Sequence, residues 1–202
     1  MTRVLVLHSV GLLRSALTAL LKAEGPFDVF ASGWCAARRQ AESLRPDVCV
    51  VDLDCPGAAP FLERGRDDAG AGTPARARLV VLATAGRPGA LRKAFEARAL
   101  GYVDKDGSPG RLVRAIRRGA EGERFVDESL AFGFLEAARV PLTERELSVL
   151  ARAAEGESIA EIAQGLHLSN GTVRNYMASA TRKVGARNRI DAIRISQRAG
   201  WV

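Results

Sequence analysis

Short apolar runs alternate with amphipathic segments over the first 120 residues, and this alternation restricts the fold more than any other feature. The central runs are nearly continuous in Val, Leu and Ala, which is typical of strands covered on both faces. The pattern predicts an α/β fold with a doubly wound, five-stranded parallel sheet and right-handed crossovers. The predicted strands are 3–7, 27–31, 47–52, 78–83 and 101–104.

The segments between these strands have helical spacing of their apolar residues. They predict helices at 11–23, 34–44, 87–99 and 108–122. Segment 57–77 is rich in Gly, Ala, Asp and Pro, so we expect at most a turn or two of helix there.

The pattern changes near residue 140, beyond which no strand is predicted. Thr143 with Glu146 and Ser158 with Glu161 have the spacing of capping boxes, and Ser169 can cap a third helix. With a fourth helix near the C-terminus, these signals predict a compact all-α domain with helix-turn-helix spacing. The predicted organisation is a first domain at 1–121, a connector at 122–140 and a second domain at 141–202.

Composition and charge indicate which kinds of binding partner the chain can have. No apolar run approaches the roughly 18 residues of a membrane span, and no secretion signal is readable, so we expect a cytoplasmic protein without a membrane partner. The three cysteines lack metal-ligand spacing, which predicts reduced thiols and no metal site. Residues 169–202 carry seven basic residues against one acidic residue, which favours a polyanionic partner. The alternative is a bias of the whole chain towards arginine.

The sequence "LTERELSVLARAAEGESIAEIAQGLHLSNGTVRNYMASATRKVGARNRIDAI" resembles the C-terminal domain of LuxR-type regulators, especially a DesR-like subgroup. The resemblance implies that a recognition helix enters the major groove of double-stranded DNA. The implied base contacts are Arg174, Asn175 and Ala178, where Ala178 replaces a frequent lysine. The implied DNA-backbone contacts are Thr172, Arg182, Lys183, Arg187 and Arg189; the alternative for any one of them is a solvated face. The implied dimerisation residues are Ile190, Ile193 and Arg194, for which packing inside the monomer is the alternative.

The N-terminal half resembles the CheY-like receiver domain of NarL/FixJ-type response regulators. The stretch "PDVCVVDLDCPG" places Asp52 at the phosphoacceptor position, and "GYVDKD" places Lys105 at the position of its usual charge partner. The resemblance implies the strand order 2-1-3-4-5.

The sequence departs from this receiver pattern where an acidic pair normally holds Mg²⁺, because His8 and Ser9 stand there. Since Mg²⁺ prefers oxygen ligands in octahedral geometry, we expect no bound Mg²⁺ and no cofactor. The usual Thr/Ser position falls on Ala83, or on Thr84 after a shift of one residue. Asp52, with Asp54 nearby, then forms a salt bridge with Lys105 or a hydrogen bond with Ser9.

We expect no catalytic residue. Neighbouring side chains on a strand point to opposite faces, so His8 and Ser9 should diverge rather than act together as base and nucleophile. The leading hypothesis is a DNA-binding transcriptional regulator that works without aspartyl phosphorylation, as a constitutive homodimer or under the control of a small molecule or protein. The alternatives are a conventional response regulator phosphorylated on Asp52 and a protein-interaction adaptor.

Overall fold

The computed structural model describes residues 1–67, 78–137 and 140–202. The chain divides into two compact units. The N-terminal unit comprises residues 1–85 and 90–134, and the C-terminal unit comprises residues 86–89 and 135–202. Within the described ranges, each helix is too short or too polar to cross a bilayer.

The N-terminal unit is built on a parallel sheet in the order β2-β1-β3-β4-β5-β6. The predicted doubly wound α/β fold is confirmed, and its first five strands have the predicted order. The strands are β1 (Thr2–Leu7), β2 (Phe27–Ser32), β3 (Val48–Asp52), β4 (Arg78–Ala83), β5 (Gly101–Asp104) and β6 (Phe125–Val126).

Helices follow the strands in the alternation that the sequence predicts. Among the described residues they are α1 (Gly11–Glu24), α2 (Trp34–Leu44), α3 (Ala58–Asp67), α4 (Pro88–Glu96), α5 (Pro109–Glu121) and α6 (Ala131–Ala137).

Successive residues of the central strands enter different cores because side chains alternate across a sheet. Val4 and Val6 pack with the helix residues Leu21 and Ile116, whereas Leu5 packs in a second cluster with α2. All these side chains are fully or almost fully buried. Since burying a Val, Leu or Ile side chain contributes about 1.5–3 kcal/mol, the two apolar layers hold the sheet in place and fix the ends of its strands.

Two sequence-based expectations are corrected. The sheet has a sixth strand, and range 122–140 is not a simple connector: it contains β6, a 3₁₀ turn at Glu128–Leu130 and α6. A strand of two residues has no readable alternation. Segment 57–77 contains the ten-residue helix α3, longer than expected, because Ala58 and Leu62 are buried; residues 68–77 lie outside the described ranges.

Over residues 140–202, the C-terminal unit contains four further helices, as predicted. They are α7 (Glu144–Ala154), α8 (Ile159–Leu166), α9 (Asn170–Lys183) and α10 (Arg189–Arg198). Their core includes Val149, Leu150, Ile162 and Val173, each with no exposed surface.

Local capping residues set the start of each of these helices. Thr143 and Ser158 form complete capping boxes with Glu146 and Glu161, and Ser169 accepts a hydrogen bond from the N–H of Thr172. Between α8 and α9, His167 adopts a left-handed conformation with φ 55°, which ends α8 and turns the chain. The tight turn supports the predicted helix-turn-helix geometry.

Candidate functional site

The carboxyl ends of four neighbouring strands meet at one edge of the sheet. The parallel register pairs Leu7 with Val51, Asp52 with Leu82 and Ala83 with Asp104. The residues at or just beyond these ends therefore share one pocket, where open α/β sheets usually bind ligands. They are His8, Asp52, Thr84 and Lys105, and with Asp54 they form what we call the receiver pocket.

Both carboxylate oxygens of Asp52 are engaged. His8 Nε2 lies 3.1 Å from Oδ2, Lys105 Nζ lies 2.5 Å from Oδ1, and the backbone N of Asp54 lies 2.8 Å from Oδ1. The Asp52 side chain is only 9 % exposed. Of the two partners that the sequence left open for Asp52, the salt bridge with Lys105 is the one present.

A backbone amide decides how His8 bonds to Asp52. The N–H of Val10 donates to His8 Nδ1 over 2.9 Å, so Nδ1 is the ring's acceptor. In a neutral imidazole the proton then resides on Nε2, which donates to Asp52 Oδ2. His8 is therefore a hydrogen-bond donor to Asp52 and is 5 % exposed.

Asp54 contacts the residues that follow β4 and β5. Its Oδ2 accepts a hydrogen bond from Thr84 Oγ1 over 2.7 Å and lies 2.5 Å from Lys105 Nζ. Thr84 thus brings a hydroxyl into the pocket, whereas Ala83 ends β4 with a buried methyl group. Burial lowers the pKa of Lys105, but its hydrogen bonds to Asp52 and Asp54 outweigh burial and leave the pKa above its ordinary value.

Ser9 does not bond to Asp52. Its hydroxyl lies 3.3 Å from the Sγ of Cys55, a residue that the sequence did not single out. The Ser9–Asp52 hydrogen bond that the sequence left open as an alternative is thus absent from this pocket.

The sequence also missed a cluster of His8, Asp52 and Cys55, whose ligand atoms all lie within 4.8 Å of one another. The donor set does not suit Mg²⁺, because nitrogen and sulfur replace the oxygens that this cation prefers. A histidine that binds a metal through Nε2 must carry its proton on Nδ1, usually donated to an acceptor. Here Nδ1 faces the N–H of Val10, a donor, so the ring is oriented against metal binding at Nε2.

In the C-terminal unit, helix α9 presents one exposed face. Arg174, Asn175, Ala178 and Arg182 all lie on this face and are exposed. Three of them line a groove of 670 Å³ together with Ile159, Met177, Thr181, Gly185, Ala186 and Arg189. Among the described residues, the side chains of Arg174 and Arg182 make no hydrogen bond and no ion pair. The face is therefore positively charged and accessible.

The other predicted backbone-contact residues have partners within the unit. Thr172 shares a 2.9 Å hydrogen bond with Ser169, Lys183 lies 2.8 Å from Glu146, and Arg187 lies 3.3 Å from Asp191. Arg189 donates to the carbonyl oxygen of Glu157. These four residues therefore already have partners within the unit, whereas the side chains of Arg174 and Arg182 have none among the described residues.

Glu146 connects the recognition helix α9 to α7. It accepts hydrogen bonds from Ser179 over 2.7 Å and Lys183 over 2.8 Å, and it also caps α7 through the N–H of Thr143. Burial raises the pKa of Glu146, but these hydrogen bonds outweigh burial and lower the pKa to about 2. The sequence identified the cap but not the second role, which depends on how α9 packs.

The three predicted dimerisation residues differ in exposure. Ile190 is 77 % exposed, whereas Ile193 is partly buried against the core of the unit. Arg194 donates to Asp191 over 2.8 Å. Ile193 thus packs inside the monomer, whereas Ile190 is an exposed apolar side chain.

Comparisons with known proteins define the class. Residues 140–196 match the model of the luxR family of bacterial regulatory proteins. The response regulator RamR of Streptomyces coelicolor is 54 % identical over all of this chain and 98 % of its own length. The transcriptional regulatory protein DesR of Bacillus subtilis is 34 % identical over all of this chain and 99 % of its own. The crystal structure of the response regulator ChrA of a heme-sensing two-component system is 25 % identical, with a TM-score of 0.57 over 100 % of this chain and 98 % of that one.

The chain belongs to the NarL/FixJ-type response regulators, with a receiver-like α/β unit and a LuxR-type helix-turn-helix DNA-binding unit. It is a transcriptional regulator, as the sequence predicted.

Proposed function

We propose that this regulator binds DNA through the exposed face of α9 and is controlled without phosphorylation of Asp52. The observation that carries the second part is the engagement of both Asp52 oxygens, by His8 on one side and by Lys105 and the Asp54 amide on the other. Phosphoryl transfer depends on positioned charge, which a bound Mg²⁺ supplies when carboxylates hold it. With His8 and Ser9 in place of an acidic pair, this pocket does not fit that cation.

In this proposal the receiver pocket has a structural role rather than an enzymatic one. Lys105 takes the place of an external cation for Asp52 and Asp54, and no cofactor is needed. The protein then acts as a constitutive homodimer or responds to a small molecule or a protein. Ile190, an exposed apolar side chain on α10 of the C-terminal unit, supports a homodimer.

DNA recognition is assigned to the residues of α9. Arg174 can bond bidentately to guanine and Asn175 to adenine, each good pair contributing about 1–3 kcal/mol of discrimination. Ala178 lies one turn further on the same face and offers an apolar contact for the methyl group of thymine. Arg182 is proposed as a phosphate contact because its side chain is exposed.

The decisive experiment treats the full chain with acetyl phosphate and Mg²⁺, and separately with beryllofluoride. Intact mass and oligomeric state are then compared between the wild type and Asp52→Ala. We expect no change in mass and the same oligomeric state in every sample. A gain in mass or a new dimer that Asp52→Ala abolishes would show that the protein is a conventional phosphorylated regulator.

A further inference from the structure

The side chain of Asp54 lies where an external anion would be expected. Its Oδ2 is 2.7 Å from the Thr84 hydroxyl and 2.5 Å from the Lys105 ammonium. A hydroxyl and an ammonium converging on one point form a binding position for a negatively charged oxygen. In this chain, a carboxylate of the protein itself occupies that position.

The local backbone explains how Asp54 reaches this position. The N–H of Asp54 donates to Oδ1 of Asp52 over 2.8 Å, and the N–H of Leu53 continues the sheet by donating to the Leu82 carbonyl over 3.0 Å. These bonds fix the turn after β3 and leave the Asp54 side chain beside the ends of β4 and β5. Asp54 therefore connects three strand ends through side-chain contacts.

The charges of the pocket show why this contact matters. Lys105 is 2.5 Å from both Asp52 Oδ1 and Asp54 Oδ2, so a single ammonium serves two carboxylates. A phosphoryl group brings nearly two further negative charges and needs cationic partners of its own. Any such group bound here would have to compete with Asp54 for both Lys105 and Thr84.

We propose that the Asp54 carboxylate is a built-in substitute for a small oxyanion of the phosphate type. It keeps Thr84 and Lys105 in the contacts that such an anion would otherwise make. The ends of β3, β4 and β5 thus hold one arrangement without a ligand or a covalent modification. This inference rests on the proposed function, namely a receiver that works without phosphorylation of Asp52.

The test is to remove the carboxylate and offer inorganic phosphate to the full chain. Asp54→Ala frees the Thr84 hydroxyl and removes one of the two carboxylates that Lys105 contacts. We therefore expect phosphate to bind this variant about tenfold more tightly than the wild type, the effect of roughly one charge-assisted contact. Binding is measured by calorimetry and by the rise in Tm, with chloride used to keep ionic strength constant. If Asp54→Ala does not fold, Asp54→Ser replaces it, because serine is also smaller than aspartate but remains polar. We expect the same gain in phosphate affinity for that variant.

Two matched variants make the result specific to the pocket. Glu24→Ala removes an exposed carboxylate at the end of α1 and should respond to phosphate like the wild type. Adding Thr84→Val to Asp54→Ala removes the hydroxyl donor and should abolish most of the gain. Equal phosphate responses of Asp54→Ala and the wild type, or a gain that Thr84→Val leaves intact, would overturn the proposal.

The test of Asp54 and the test of the proposed function can fail independently. A wild-type chain that gains mass with acetyl phosphate, through Asp52, contradicts control without phosphorylation. A wild-type chain that gains none, combined with an Asp54→Ala variant that ignores phosphate, contradicts the role of Asp54 alone.

Discussion

The receiver pocket and the exposed face of α9 differ in whether their charged side chains are paired. In the receiver pocket the charged groups satisfy one another: two carboxylates share Lys105, and His8 donates to Asp52. On the exposed face of α9, Arg174 and Arg182 make no ion pair with any other described residue. Charges that already contact one another attract a new ligand less strongly than exposed cations attract a polyanion. This difference supports the proposal that the receiver pocket works without a ligand and that the exposed face of α9 binds DNA.

The largest expected effect comes from Glu146, the one carboxylate described here that caps one helix and bonds to the recognition helix. Glu146→Ala leaves Lys183 and Ser179 without their partner, and we expect a loss of about 3 kcal/mol in the free energy of unfolding of the C-terminal unit. Chemical denaturation followed by circular dichroism measures this loss.

The pKa of Glu146 gives this prediction a pH dependence. Because the pKa is about 2 in the folded unit and 4.5 ordinarily, the stabilisation is fully present above pH 4.5 and is lost as pH falls towards 2. The stability difference between the wild type and Glu146→Gln should shrink across that interval. A difference that stays constant from pH 6 to pH 2 would contradict the assignment.

The next effect concerns DNA binding. Arg174→Ala should weaken binding to a specific duplex by about 1–3 kcal/mol and relax the preference at one base pair. The matched control is Arg198→Ala, which removes an equal charge from the exposed end of α10. Fluorescence anisotropy over a series of salt concentrations measures both variants. Equal losses for Arg174→Ala and Arg198→Ala would mean that net charge, and not the α9 face, determines affinity.

A smaller effect is expected at the start of α9. Ser169→Ala removes the side chain that accepts from the Thr172 N–H over 3.1 Å, which should lower stability by about 1 kcal/mol. Ser169→Asp restores an acceptor and should recover most of that stability. Thermal unfolding checks both variants, and an unchanged Tm for Ser169→Ala would show that the cap contributes little.

The smallest expected effect is that of Asp52→Asn on DNA binding, and it tests the difference between the two units most directly. Asp52→Asn keeps the size of the side chain and removes the charge at the phosphoacceptor position. If control does not use phosphorylation, affinity for the duplex should change by less than about twofold, well under the 1.4 kcal/mol that a tenfold change represents. Anisotropy measured with protein isolated from bacterial cells gives the answer. A tenfold loss would make Asp52 part of the switch.

The sequence was most informative where structure is determined locally. Apolar alternation identified the first five strands, and caps such as Thr143 and Ser169 set helix starts close to those observed. Strand β6 was missed because two residues carry no period, and α3 was underestimated because burial outweighs the weak helix propensity of its sequence.

Side-chain partners were harder to predict than positions. The motifs located Asp52 and Lys105, but the sharing of Lys105 with Asp54 depends on how the turn after β3 directs its side chains. The contact of Ser9 with Cys55 likewise joins residues far apart in the chain. Likewise, the sequence did not indicate that Lys183, a predicted DNA-backbone contact, also pairs with Glu146.

The amide of Val10 also limits what a substitution at position 8 can do. Because the Val10 N–H donates to Nδ1, the neutral His8 ring carries its proton on Nε2 and donates it to Asp52. The single substitution His8→Asp would place a third carboxylate beside Asp52 and Asp54, which both contact the Lys105 ammonium. His8→Asp alone should therefore make the receiver pocket less stable, and that pocket tolerates little further negative charge.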